Sequence, residues 1–351
     1  MKSWDAIVIG GGVIGLSVAL DLNKRGSKVL LLDRGEPGHE ASFAAGGMLA
    51  HCDPHTPEPL RHLALLSAAM YREFVHELMD ETGIQIDLRP HGTIYFPDAQ
   101  ETVPLGRPLS RAELSDIEPH LVAPGLGYHL PESCVDPRHL VEALRKSLHH
   151  RGVDIAAGTA AVNVDVGERK VVAVTTDRSR YPTAMAVNCA GAWAASIGPV
   201  RLHTQPVKGQ MLCIVPKHGS HFPLQHVVRS KNCYLIPRSD GRLVVGTTVE
   251  HAGFDKTVRP DDIQHLHQQA SILMPPLGEG RMLEAWAGLR PGTPDGLPLL
   301  GETSYNGYLA ATGHYRDGIL LAPITARIIG ELATGRNPEM NLIPFAPERF
   351  S

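Results

Sequence analysis

Gly10, Gly12 and Gly15 stand in a Gly-x-Gly-x-x-Gly pattern between the branched apolar run Ala6-Ile7-Val8-Ile9 and an apolar stretch that continues to Leu22. Each glycine has a separate job in such a pattern. Gly10 permits a tight turn, Gly12 lets a pyrophosphate approach the backbone, and Gly15 lets a helix pack closely on a strand. With Val13 and Ile14 they place free N–H groups and the positive end of a helix dipole at the phosphates. Asp33 ends the next apolar run, Val29-Leu30-Leu31-Leu32, where a carboxylate accepts the hydroxyls of an adenosine ribose. Arg34 beside it suits a 2′-phosphate, but Asp33 would repel that group. The pattern predicts an unphosphorylated dinucleotide.

Three further stretches offer backbone to the same ligand. Ala41–Ala50 is dense in small residues, and Ser42, Ala44, Ala45, Gly46, Gly47 and Met48 let a bulky group lie against main chain. Ala190, Gly191 and Trp193 follow the buried run Ala186-Val187-Asn188 and form a second approach. A nicotinamide domain does not need it. It suggests a cofactor that crosses the sheet, as FAD does, with Ala161 as a further contact. Gly313, Arg316, Asp317 and Gly318 precede an apolar helix that starts at Ile319 and Leu320 and can aim its N-terminus at the head group.

These groups are positioned by elements of two kinds. Apolar runs predict strands at Ala6–Ile9, Val29–Leu32, Val153–Ile155, Ala161–Val166, Val171–Thr175, Ala184–Asn188 and Gly307–Ala311. Helical spacing predicts helices over 59–82, Asp136–His150, Pro260–Met274 and Ile319 to about Leu332, with a short one over Leu109–Glu118 and one after Ala190. Residues 206–250 read as strands, with Arg238-Ser239-Asp240-Gly241 as a hairpin turn. The expectation is an α/β fold: a Rossmann-like domain with a central parallel sheet (1–85, 136–205 and 285–351), interleaved with a smaller antiparallel-sheet domain (86–135 and 206–284).

Composition bounds the function. The net charge is −4 with no basic block, which argues against nucleic acid. No apolar stretch is long enough to span a membrane. Gly10–Gly12 and Asp21 interrupt the apolar N-terminus, so it does not read as a secretory signal. The five cysteines are odd in number and scattered, as expected of reduced thiols in the cytoplasm. His51-Cys52-Asp53-Pro54-His55 has ligand residue types but no second cluster, and no metal is expected.

Five longer segments carry a resemblance: Gly46-Gly47-Met48-Leu49, Cys233–Arg238, Arg242–Gly246, Trp286–Thr293 and Gly313–Leu320. Over nearly its full length the chain resembles the glycine oxidases of thiamine biosynthesis, within the D-amino-acid oxidase and sarcosine oxidase group of flavoproteins. The resemblance implies non-covalent FAD and oxidation of glycine, sarcosine or a small D-amino acid to an imine that water hydrolyses. It also implies dioxygen as acceptor, hydrogen peroxide as product and a homotetramer. Arg290 matches the arginine that grips the substrate carboxylate, Tyr234 a tyrosine over the active site, and Arg316 a second arginine near the flavin. Asn232 stands where the family often has histidine, and Val249 where it has methionine, changes that widen or depolarise the pocket.

Arginine suits the expected task, because its planar fork holds a carboxylate through two parallel hydrogen bonds. With the α-hydrogen aimed at flavin N5 and the amine neutral, hydride transfer needs no general base. Alternatives are a flavin dehydrogenase with a non-oxygen acceptor, an oxidase of a larger N-substituted glycine, and a flavin subunit that only scaffolds. A structural salt bridge for Arg290 and a core position for Tyr234 also stay open, and Arg316 could instead contact the cofactor or a partner chain.

Overall fold

The computed structural model describes residues 3–98, 100–219 and 222–351. Ala6–Ile9 is buried at every residue, which a strand can be only when sheet neighbours and helices cover it on all sides. It lies inside a six-stranded sheet ordered Leu299–Glu302, Tyr308–Thr312, Ala186–Asn188, Ala6–Ile9, Val29–Leu32, Asp154–Ala156. All pairs are parallel except Leu299–Glu302 with Tyr308–Thr312.

The helix Val13–Lys24 is buried along most of its length, packed between the sheet and neighbouring helices that include Gly318–Ala333. Gly318–Ala333 contains Pro323, whose missing N–H leaves the Ile319 carbonyl without its helical donor. The Tyr71 hydroxyl donates to that carbonyl at 2.6 Å, and Ser67 Oγ donates to the Leu320 carbonyl at 2.6 Å. Both come from the helix Glu58–Thr82, which thereby clips the first turn of Gly318–Ala333 in place.

An eight-stranded sheet forms the second layer, ordered Arg281–Gly292, Gln205–Val215, Leu243–Gly246, Tyr234–Pro237, Val227–Arg229, Thr93–Tyr95, Gly127–Leu130, Arg107–Leu109. Its pairs are antiparallel except Val227–Arg229 with Thr93–Tyr95. Leu212, Ile214, Leu235 and Val245 point to one face and are covered by Ile263, Leu266 and Ala270 of the helix Pro260–Leu273. Strand alternation therefore sends Met211, Tyr234 and Gly246 to the opposite face.

Three sequence expectations change. The strand Arg281–Gly292 crosses the boundary expected at residue 285 and pairs with Gln205–Val215 from end to end. Its alternation is interrupted by Gly288, Pro291 and Gly292, which hides it from pattern reading. The helix expected after Ala190 is a 3-10 turn, Gly191–Ser196. Asn188 ends it early, its side-chain amide donating to the carbonyls of Ala194 and Ile197 at 3.2 Å each. The strand expected at Ala184 begins at Ala186, and that at Gly307 begins at Tyr308.

Candidate functional site

Between the layers lies a cavity of about 620 Å³ that runs from the Gly-rich turn to the free face of the antiparallel sheet. At one end, Gly10 has φ +102°, and a Cβ there would meet the Cys189 carbonyl oxygen at 2.5 Å. A Cβ on Gly15 would lie 1.8 Å from the Gly10 oxygen, so only glycine lets the helix begin this close to the strand. Gly12 instead faces the cavity, where an added Cβ would meet Ser42 Oγ at 3.2 Å. Ser42 Oγ accepts from the Val13 N–H at 2.9 Å, and Asp33 accepts from the N–H groups of Gly11 and Gly35 at 2.7 Å each.

Gly10, Gly12, Val13, Ile14, Asp33, Arg34, Ser42, Ala44, Ala45, Gly46, Gly47 and Met48 all line this cavity. So do Ala161, Ala190, Gly191 and Trp193, then Arg316, Asp317, Gly318 and Ile319. Gly15, Gly313 and Leu320 do not: Gly15 and Leu320 are buried in packing, and Gly313 (φ +73°) makes the turn that precedes the cavity wall.

At the other end stand Arg290 and Tyr234, each lying over a glycine. A Cβ on Gly209 would fall 2.2–2.5 Å from the Arg290 guanidinium, and one on Gly246 would fall 2.6–2.8 Å from the Tyr234 ring. Arg290 Nη1 donates to the carbonyls of Lys208 (3.4 Å) and Thr248 (3.3 Å), and Nη2 donates to Thr247 Oγ1 (2.8 Å). That leaves Nε–H and one Nη2–H for a ligand. Among the described residues no carboxylate pairs with Arg290. A half-buried cation without a counter-ion is costly, so this wall favours an anionic group. Tyr234 O–H contacts Met211 Sδ at 3.8 Å.

Register puts Trp286, Met211, Gly246, Tyr234, Arg229 and Tyr95 side by side on neighbouring strands. Arg229 is neutralised by Asp53 (2.7 Å) and Glu132 (3.3 Å), unlike Arg290. Arg316 is exposed and lies over the ring of its neighbour Tyr315 at 5.1 Å, at the cavity wall and without an ion pair among the described residues. Val249 and Asn232 both line the cavity, with Asn232 tied to Gln269 by a 2.9 Å hydrogen bond.

Two titratable groups at the start of the helix Gly318–Ala333 depart from ordinary values. Burial drops His314 to about 3, so it stays neutral, its Nε2 3.0 Å from Thr325 Oγ1. Burial first, then the like charge of Asp53, pushes the Asp317 carboxyl up to about 7, against the pull of Arg316 and Arg229. Cys52, Cys134, Cys213 and Cys233 are raised to about 11, mainly by burial, which leaves them as inert thiols. Among the described residues no cluster of His, Cys, Asp or Glu could hold a metal, and no helix is long and apolar enough to cross a membrane.

Gly209, Met211 and Thr247 were given no role by the sequence reading, and Gly246 entered it only inside the segment Arg242–Gly246. Each matters because of what a neighbouring strand lays over or beside it, and one chain segment carries no sign of that. Arg238, read only as part of a hairpin turn and of the segment Cys233–Arg238, has a further role: buried, it donates to the Gly46 carbonyl at 2.7 Å and to the Val135 carbonyl at 3.2 Å, fixing the small-residue loop to the antiparallel sheet.

The cradle fits a long dinucleotide flavin: glycines at each approach, a helix start at Val13 and a second at Gly318. Comparison with known proteins agrees. The chain is 34% identical to glycine oxidase of Pseudomonas aeruginosa over 97% of its own length and 98% of that protein's. It is 37% identical to the bifunctional protein ThiO/ThiG of Synechocystis sp., covering 99% of this chain but spanning only 54%, about half, of that relative. The crystal structure of glycine oxidase from Geobacillus kaustophilus superposes with a TM-score of 0.92 at 30% identity, over 99% of each chain. The model of the FAD dependent oxidoreductase family matches residues 5–332, and the chain belongs to that family.

Proposed function

We propose that this FAD-dependent enzyme oxidises the amine of glycine or a close relative such as sarcosine or a small D-amino acid. Dioxygen is the acceptor and the products are the imine, which water hydrolyses, and hydrogen peroxide. The parallel-sheet layer holds the cofactor and the antiparallel sheet holds the substrate. The observation that carries this reading is Arg290: a guanidinium in the cavity wall with no carboxylate partner among the described residues, laid over Gly209 and tied by three hydrogen bonds that leave Nε–H and one Nη2–H available.

Bound FAD supplies the two-electron acceptor. The chain's own residues then have to position. Arg290 takes the substrate carboxylate bidentately, which sets the direction of the Cα–N bond. Tyr234, paired with Gly246 beside the Thr247 that Arg290 holds, closes over the substrate and excludes water. Held geometry of this kind accounts for roughly 7–11 kcal/mol of a barrier, so a dedicated base is unnecessary once the amine is neutral. Arg316 at the cavity wall adds positive potential that draws amino-acid anions in.

Thiamine biosynthesis is the pathway that the family resemblance implies for a glycine-oxidising enzyme of this kind. Five free, buried cysteines suit the cytoplasm, and a homotetramer is the expected assembly, checked by light scattering. The deciding experiment is Arg290→Ala, measured by peroxide release from a panel of glycine, sarcosine and D-alanine. KM for glycine rises by two or more orders of magnitude while flavin stays bound. A near-normal KM removes Arg290 from its role, and electron transfer to a dye without peroxide would replace dioxygen as acceptor.

A further inference from the structure

The segment between the strand Leu243–Gly246 and the helix Pro260–Leu273 is tied to its own sheet at both ends and to the opposite layer in between. At one end Glu250 exchanges two backbone hydrogen bonds with Lys208, both 2.9 Å. At the other, the Arg259 N–H donates to Gln210 Oε1 at 2.7 Å. Residues 251–258 overhang between these anchors and are mostly exposed.

Phe254 is 54% exposed and belongs to none of the buried clusters, yet its ring stacks on Trp193 with centroids 5.3 Å apart and planes 29° from parallel. The Arg34 guanidinium carbon lies 4.2 Å from the centroid of the same indole. Two residues on, Lys256 Nζ meets Glu40 Oε2 at 2.9 Å. Arg34, Glu40 and Trp193 line the cofactor cavity, whereas Phe254 and Lys256 do not. Arg34 follows Val29–Leu32 and Trp193 follows Ala186–Asn188, the two strands that flank Ala6–Ile9. The Arg34–Trp193 contact therefore bridges the two sides of the dinucleotide groove, and the overhanging segment backs that bridge from the antiparallel layer.

We propose that residues 251–258 form a latch that retains FAD, with Phe254 bracing the Arg34–Trp193 bridge and Lys256 pinning Glu40. An indole held by a cation and a second ring forms a better closed wall than one free to swing into solvent. The ion pair is exposed, so its share is small and screened by salt. The latch governs how fast FAD leaves. It does not depend on which amine is oxidised, so it stands even if glycine is not the substrate.

The test is the rate of FAD release from purified holoenzyme after dilution, read as the rise in free-flavin fluorescence. Phe254→Ala releases FAD about tenfold faster. Lys256→Glu releases it about threefold faster at low salt, and the charge-swapped pair Lys256→Glu with Glu40→Lys returns to the wild-type rate. Release from Phe254→Ala within about twofold of wild type overturns the proposal, as does a swapped pair that fails to recover. Faster release together with a lowered unfolding midpoint of the FAD-free protein also overturns it, because general loosening then explains the loss.

Discussion

Asp317→Asn turns the environment of one carboxyl into a measurable dependence on pH. Asp317 occupies the N-cap position of the helix Gly318–Ala333 without a side-chain capping bond, and it lines the cofactor cavity. Burial raises its pKa from the ordinary 3.8 to about 7, with Asp53 adding to the rise and Arg316 and Arg229 opposing it. At about 1.4 kcal/mol per pH unit, that gap corresponds to about 4 kcal/mol. The sign follows from proton binding. Below pH 3.8 both folded and unfolded chains hold the proton, so the site costs nothing relative to Asn. Between 3.8 and about 7 the unfolded chain has released it and the folded chain has not, so stability falls as pH rises. Above about 7 the penalty is complete. The stability of Asp317→Asn minus that of the wild type therefore climbs by about 4 kcal/mol from about pH 3.5 to about pH 8. The assay is urea unfolding of the FAD-free protein across that range, because bound FAD would add its own linkage. Asp53→Asn shrinks the climb without abolishing it, since burial is the larger cause. A flat difference between the two proteins, or one that falls with pH, refutes the reasoning.

Two further substitutions probe the geometry. Gly209→Ala places a methyl 2.2–2.5 Å from the Arg290 guanidinium, so the arginine must move; KM for glycine rises at least tenfold in steady-state assays while FAD titration is unchanged. Tyr71→Phe leaves the Ile319 carbonyl, already deprived of a donor by Pro323, without a partner, and chemical denaturation should record a loss of about 1–3 kcal/mol.

The dinucleotide half of the fold was readable because its signals are local. A four-residue apolar strand, spaced glycines, a buried helix and a terminal acid all sit within Ala6–Asp33, and the backbone needs each of them where it stands. Helix limits were equally plain at Pro137 and Pro260, prolines that occupy a first turn. The antiparallel half was harder. Arg281–Gly292 carries two glycines and a proline that a single-strand pattern counts as breakers, and residues distant in sequence explain the glycines: Gly288 clears the way for Ala44, whose Cβ would stand 2.4 Å from an added methyl, and a Cβ on Gly292 would meet Val207 Cγ2 at 3.0 Å. Resemblance rather than periodicity singled out Arg290. Leu320 was assigned to the cofactor because helix starts favour phosphates and ring edges, but its side chain turns into the core.

The same contrast separates the end of the cavity at the Gly-rich turn, walled by backbone, from the end at Arg290 and Tyr234, walled by side chains. Around Gly10, Gly15 and Gly47 an added methyl would meet backbone oxygen at 2.5, 1.8 and 1.9 Å, and backbone cannot yield without the sheet moving. Around Gly209 and Gly246 the obstructing atoms belong to the side chains of Arg290 and Tyr234, and around Gly46 the nearest belongs to Ile236. Substitutions there displace a side chain rather than unfold the layer. Arg238, the residue after the strand Tyr234–Pro237 of the antiparallel sheet, joins the two regimes, since it donates to the carbonyl of Gly46 in the small-residue loop and to that of Val135. The antiparallel sheet is thereby tied to the small-residue loop through one buried guanidinium, while the Gly-rich turn stays where the first four residues of the parallel sheet put it.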